Sequence, residues 1–354
     1  MKKTLSFTDV LNLTFIEQMK KNSRIISFGL GIDDPKNIFG TTKNLQKKFG
    51  LNRIFDTPTS ENAMTGIGVG LSLDGFIPIM VHQRLDFFLL AMDQLVNSAA
   101  KWKYMFGGGN NVKMLIRLII GRGWGQGPTH SQNLQTWFAH VPGLKVVSPT
   151  FPSDARKGIV NAINENGPVI FLEHRWLHSL KEKIDIGKKI KPSRIGKGRI
   201  LKSGSDLTII SHSYSTIEIL KIYKILNDNK IKFEHIDLVS LKPLDINLIK
   251  KSVSKTGKLL ILDNSSTSFC SIGSEIISQL IRINKNIFKK EPNLLTLPDL
   301  PSPTSHYLSK EFYISSEKIL ASISKLLSKK IKFNKQILRK ELHDIPNQEF
   351  KGPF

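Results

Sequence analysis

The residues best suited to chemistry lie in three short stretches. The first, Asp56-Thr57-Pro58-Thr59-Ser60-Glu61, runs into a segment of small residues, Ala63, Gly66, Gly68 and Gly70. Pro58 breaks the apolar run 51–55, and Thr59 or Ser60 can cap a helix that begins at Glu61. Glycine is costly inside a helix, so its recurrence predicts a helix pressed close against another backbone. Glu61 would then sit at the mouth of a tightly packed, apolar helix, a desolvated setting that suits a carboxyl to proton transfer. An acid placed there to match the helix dipole is the other reading. The second stretch holds Phe87, in Leu85-Asp86-Phe87-Phe88, which either stacks on a planar ring or fills the core. His82, Gln83 and Arg84 precede it as polar groups just past a strand. The third is a glycine-rich loop over 121–128 followed by His130-Ser131-Gln132. His130 would open a helix on the carboxyl side of a strand, as a site residue or as a solvent-facing cap.

The elements that must position these groups alternate between strand and helix. An amphipathic helix over 1–23 leads to a strand over 24–29, a helix over 43–49 and a strand near Ile54. A buried strand over 77–81 precedes a long helix over 85–104 and a strand over 112–120. Strands over 144–147 and 169–172 flank a helix over 152–165. Alternation of this kind means a mostly parallel, doubly wound sheet with helices on both faces. A basic Pro/Gly segment, 181–204, follows, and the pattern then restarts as a smaller α/β unit. The domains read 1–180, a basic linker 181–204, a second domain 205–328 and an extension 329–354 on the surface or on a partner.

Composition narrows the function classes. The 354 residues carry 40% hydrophobic side chains, enough for two folded cores. Cys270 is the only cysteine, which fits a reducing, cytoplasmic setting. No signal peptide or membrane span is expected. The net charge of +23 is scattered rather than gathered into an arm, so an acidic protein partner or a solvated surface explains it as well as nucleic acid does, and no nucleic-acid role is assigned. No Walker or Gly-x-Gly-x-x-Gly motif, no Gly-x-Ser-x-Gly elbow and no metal-ligand spacing is present.

The motifs gain weight in combination. Asp-Thr-Pro-x-Ser-Glu at 56–61, Met-Asp-Gln-x-Val-Asn-Ser-Ala-Ala-Lys at 92–101 and Tyr-Met-x-Gly-Gly at 104–108 come first. His-Ser-Gln at 130–132, Pro-Gly-Leu-Lys-Val-Val-Ser-Pro at 142–149 and Gly-Ser-Glu-Ile at 273–276 follow. In this order they closely resemble the β subunit of the thiamine-diphosphate-dependent E1 component of 2-oxoacid dehydrogenases (pyruvate, branched-chain and acetoin types), over residues 24 to 325. The resemblance implies a pyrimidine-binding domain and a transketolase C-terminal domain. It also implies an α2β2 heterotetramer with an E1 α-type subunit, a small 2-oxoacid substrate and acyl transfer to a lipoyl group on an E2.

Residue by residue, Glu61 falls on the cofactor-activating glutamate, whose carboxyl bonds N1′ of the aminopyrimidine. Phe87 falls on the ring against that aminopyrimidine, and His130 on the active-site histidine, as proton donor or anion stabiliser. Gln83 and Asp33 fall near the pyrimidine edge. Mg²⁺ would be held with the diphosphate by the α subunit, because the Gly-Asp-Gly…Asn motif is absent here. Val81 stands where the family often has an acid, and Leu85 where an aromatic is common. Two rival readings are a split transketolase-like carboligase subunit and a non-catalytic homologue.

Overall fold

The computed structural model describes residues 2–33, 37–123, 125–264, 267–334, 338 and 342–346. Its start differs from the expected single helix: Lys2–Ser6 is a strand, β1, and only Phe7–Lys21 forms helix α1. A capping box at Ser6 and Asp9 starts the helix, the Ser6 Oγ accepting from the Asp9 N–H and the Asp9 carboxylate from the Ser6 N–H. The strand exists because a distant partner supplies its hydrogen bonds. That partner is Lys181–Asp185, so the basic segment between the domains is partly a β-ribbon with the N-terminus.

The larger sheet is built from β2 (Ile25–Gly29), β3 (Ile54–Phe55), β4 (Ile77–His82), β5 (Leu115–Ile120), β6 (Lys145–Val147) and β7 (Val169–His174). All are parallel and are ordered β6-β7-β5-β4-β2-β3. The helices between them are α2 (Leu45–Phe49), α3 (Glu61–Leu73), α4 (Leu85–Phe88), α5 (Trp102–Met105), α6 (Gln135–His140) and α7 (Pro152–Ile163). Alternate residues of the strands serve two cores. Ile79, Val81, Leu115 and Phe171 pack with α1 and α7, whereas Phe28, Met80, Ile116 and Leu172 pack with α3, α4 and α6. A strand buried on both faces reads as a continuous apolar run, which is why β5 spells Leu-Ile-Arg-Leu-Ile-Ile. Its Arg117 is fully buried. It donates to both oxygens of Glu173 on β7 at 2.5 and 2.9 Å, and His178 stands 3.3 Å from the same carboxylate.

The expected helix over 85–104 is broken into α4, a 3₁₀ turn at Leu89–Ala91, a π turn at Gln94–Ala99 and α5.

The ribbon strand Lys181–Asp185 is β8. The smaller sheet holds β9 (Arg199–Lys202), β10 (Leu207–Ser211), β11 (Phe233–Asp237), β13 (Leu259–Leu262) and β14 (Asn293–Leu295), ordered β14-β13-β10-β11-β9, with β9 alone antiparallel. Strand β12 (Ser240–Lys242) instead crosses to the larger sheet and pairs antiparallel with β6, so one half lends the other an edge strand. Helices α8 (Tyr214–Lys221), α9 (Tyr223–Asp228), α10 (Ile246–Thr256), α11 (Ile272–Ile283), α12 (His306–Phe312) and α13 (Ser316–Leu327) cover the smaller sheet. Beyond α13 the chain returns to its own surface: Ile331 and Leu338 join the core of the second half. Among the described residues no helix is long and apolar enough to cross a membrane.

Candidate active site

Glu61 is the first residue of α3 and is buried, 4% exposed. Its side chain makes no hydrogen bond among the described residues, and its oxygens are not fully enclosed. Ser60 occupies the cap position but forms no side-chain cap. The glycines of α3 work differently from the expectation of backbone contact along the helix. A Cβ at Gly68 would stand 2.9 Å from the Met80 sulfur and 3.0 Å from the Met114 methyl, so the close approach is to two thioether side chains. Gly66 meets Gln94 at ordinary distance, and Gly70 faces open space. Just upstream, Asp56 accepts from the N–H groups of Thr57 (2.8 Å) and Gly31 (2.9 Å), tying the end of β3 to the end of β2.

At the end of β4, Gln83 donates through Nε2 to the Leu30 carbonyl at 3.2 Å, again joining neighbouring strand ends. Asp33 is exposed and accepts from Gln46 at 3.2 Å; its neighbour Asp34 lies outside the described residues. Phe87 and His130 meet directly, edge to face, with centroids 5.4 Å apart at 90°. His130 does not begin a helix as expected. It sits in a turn, its Nδ1 3.0 Å from the Thr129 hydroxyl, and α6 starts five residues later at Gln135. His82, the other histidine here, is core: it packs on Phe88, neither ring nitrogen has a partner among the described residues, and burial pushes its pKa down to about 3.

The strand order β5-β4-β2-β3 therefore places His130, Gln83 with Phe87, Asp33 and Glu61 after the carboxyl ends of successive neighbours. That edge is where α/β sheets bind ligands. The same edge holds Arg84, named from the sequence as a polar group past a strand, and others that the sequence did not single out. Asp86 accepts through one oxygen from both the side chain (2.8 Å) and the backbone N–H (3.3 Å) of Gln132, so the segment that carries His130 is tied to the helix that carries Phe87. Burial raises the Asp86 pKa, opposed by the Gln132 bonds and the His130 charge. Arg84 and Arg175 both donate to the Gln126 side-chain oxygen, at 2.9 and 3.1 Å. Burial, and then the Arg84 charge, bring Arg175 down to about 9. The usable signals were slight: Asp86 adjoins Phe87, Gln132 completes His-Ser-Gln, and Arg175 directly follows an apolar strand.

Among the described residues no group of three or more His, Cys, Asp or Glu side chains could hold a metal ion. For the aminopyrimidine of thiamine diphosphate the fit is good. A carboxylate without a partner among the described residues and a partly exposed aromatic ring stand on one edge, and each matches the chemistry of that ring.

Comparison with known proteins first defines the class. The transketolase pyrimidine-binding domain matches residues 3–179, and the transketolase C-terminal domain matches residues 196–319. A solved split-gene transketolase, described as an inactive β4 tetramer, shares the fold with a TM-score of 0.72 at 20% identity, over 92% of this chain and 98% of that one. Full-length sequence relatives then narrow it. The acetoin:2,6-dichlorophenolindophenol oxidoreductase β subunit of Cupriavidus necator is 32% identical, over 92% of this chain and 98% of the relative. The pyruvate dehydrogenase E1 β subunit of Porphyra purpurea is 32% identical over 90% and 96%. The 2-oxoisovalerate dehydrogenase β subunit of Bacillus subtilis is 31% identical over 91% and 98%. The chain belongs to the β-subunit family of thiamine-diphosphate-dependent 2-oxoacid dehydrogenase E1 components, whose members pair with an α subunit.

Proposed function

We propose that this chain supplies the β half of a composite active site that decarboxylates a small 2-oxoacid and passes the acyl group to the lipoyl group of an E2, in a cytoplasmic α2β2 assembly. The carrying observation is Glu61: a buried residue whose carboxylate has no partner among the described residues, on the edge that also holds the Phe87–His130 pair. The carboxylate keeps its oxygens open for a ligand, and a ring nitrogen from a bound aminopyrimidine can pair with them. Glu61 would hold the N1′ position, Phe87 would lie against the ring, and Gln83 and Asp33 would border its edge. Thiamine diphosphate, when bound, supplies the electron sink that the loss of a carboxylate from a 2-oxoacid requires. Thr129 engages Nδ1 of His130, leaving Nε2 as the atom that gives or takes the substrate's proton.

The diphosphate and Mg²⁺ fall to the α-type partner, since this chain lacks the Gly-Asp-Gly…Asn motif. Ile67 on α3 and Leu90 past α4 are large apolar side chains exposed at 54% and 70%, and they offer that partner a contact beside the site. The test is calorimetry with thiamine diphosphate and Mg²⁺, on the chain alone and with the α-type protein. Binding only in the mixture is expected, whereas tight binding by the chain alone refutes the shared site. In the assembled enzyme Glu61→Gln should lose most turnover, and an undiminished rate would sink the assignment.

A further inference from the structure

The residues beyond α13 lie outside the matched C-terminal domain, which ends at residue 319, yet part of them is seated beside the site. The loop over 121–127 that leads to His130 has glycines at 121, 123, 125 and 127, three of them with φ of +96°, +60° and +70° at Gly123, Gly125 and Gly127. Such a backbone has little stiffness of its own. Its root is fixed: Arg122 lies 4.6 Å from the Tyr313 ring and 4.8 Å from the Trp176 ring, and bonds Glu218 at 3.0 Å. Beyond the root, support comes from the second half of the molecule. A Cβ on Gly123 would run into the main-chain carbonyl of Asp344, and one on Gly127 would lie 2.6 Å from the Thr304 hydroxyl. Residues 342–346 and the start of α12 in turn hold each other. His343 Nε2 is 2.9 Å from both the His306 carbonyl and the Ser309 hydroxyl, and the Asp344 carboxylate is 3.4 Å from His306 Nδ1. The Asp344 charge also bears on Arg175, which shares Gln126 of the loop with Arg84.

We propose that residues 342–346 are a clamp on the glycine loop, holding it against Thr304 and α12 and thereby positioning His130 and Gln126 for the reaction. The inference rests on the E1 reading for its catalytic consequence alone; the clamp itself is a property of this chain. Asp344 and His343 are positioning residues, for they touch the loop and α12 rather than the reacting groups. Only glycine at 123 lets the tail approach so closely.

The experiment is hydrogen–deuterium exchange on the full chain, alone and assembled with its α-type partner, for wild type, for a chain ended after Glu341, and for His343→Ala. Exchange across 121–130 should rise about tenfold on truncation, as expected when a packed backbone contact is removed and local opening becomes easier, and by less in His343→Ala, with the two sheets unchanged. In the assembled truncated enzyme kcat should fall and KM for the 2-oxoacid rise, while thiamine-diphosphate affinity holds. Wild-type exchange over 121–130 in both variants overturns the clamp. Raised exchange with wild-type kcat and KM overturns its positioning role. A wild-type assembly that turns over no 2-oxoacid refutes the E1 reading and leaves the exchange result to decide the clamp.

Discussion

Asp86 offers the sharpest test of how the edge of the sheet is assembled. Its carboxylate receives two donors from Gln132, one at 2.8 Å and one at 3.3 Å, two residues beyond His130. A hydrogen bond to a charged acceptor contributes about 1.5–3 kcal/mol. The longer of the two lies past the usual range, so the pair together holds the segment by roughly 3 kcal/mol. Asp86→Ala removes the acceptor and leaves the edge-to-face contact with Phe87 and, upstream, the Arg84–Gln126 bond. A shift of about 1 Å in a positioned group costs on the order of a hundredfold in rate. The assembled Asp86→Ala enzyme should therefore lose roughly 30–100-fold in kcat/KM, most of it in kcat, with little change in thiamine-diphosphate affinity.

Asp86→Asn keeps an oxygen that can accept both donors and should retain activity within about fivefold. The two variants also separate position from charge. Burial raises the pKa of Asp86 above the usual aspartate range, so its negative charge is lost at a higher pH than an exposed aspartate would lose it. Protonation of this group should lower the wild-type rate by no more than about fivefold, a step the Asn enzyme lacks. Steady-state kinetics on the three enzymes, followed as the pH is lowered, decides the matter. An Ala enzyme with wild-type kcat/KM, or an Asn enzyme as weak as Ala, would refute the reasoning.

Three further outcomes concern stability. Glu173→Ala strands Arg117 as an unpaired buried cation, so calorimetry should show a loss of about 3–5 kcal/mol and a clearly lower Tm. Asp237 is buried, its Oδ2 has no partner among the described residues, and burial above all raises its pKa from 3.8 to about 7. Because the folded value lies above the unfolded one, the favourable contribution is complete below about pH 4 and is lost as pH rises through 7; stability should drop by up to about 4 kcal/mol over that window, and Asp237→Asn should flatten the dependence. Gly68→Ala moves only flexible thioethers and gains helix propensity, so it should stay within about 1 kcal/mol of wild type, while the branched Gly68→Val should cost about 1–3 kcal/mol in denaturant titrations.

The parts legible in the sequence are those whose cause is local. Buried parallel strands announce themselves as apolar runs, and the alternation of β4, β5 and β7 with helices follows from 3.6-residue and 2-residue periods. What escaped depends on partners far away in the chain. Strand β1 is charged and polar and becomes a strand only because Lys181–Asp185 lies opposite it. Arg117 interrupts a strand that has no room for charge until Glu173, 56 residues on, arrives beside it. The break in the expected 85–104 helix has no Pro or Gly to mark it, and a π turn occupies Gln94–Ala99.

The candidate site divides in the same way, and the division has a physical basis. Glu61, Phe87 and His130 can be found because each ends or follows an element whose start and stop are written locally. Asp86 works through Gln132, and Arg84 and Arg175 through Gln126, across gaps of 42 to 49 residues, and no single position betrays that. The support of the glycine loop is the extreme case. A loop with four glycines reads as flexible from its own sequence, yet its conformation is set by Thr304 and Asp344, almost two hundred residues away or more. Flexibility of a glycine loop is thus a property of what packs on it, and here the C-terminal extension removes the freedom that the glycines create.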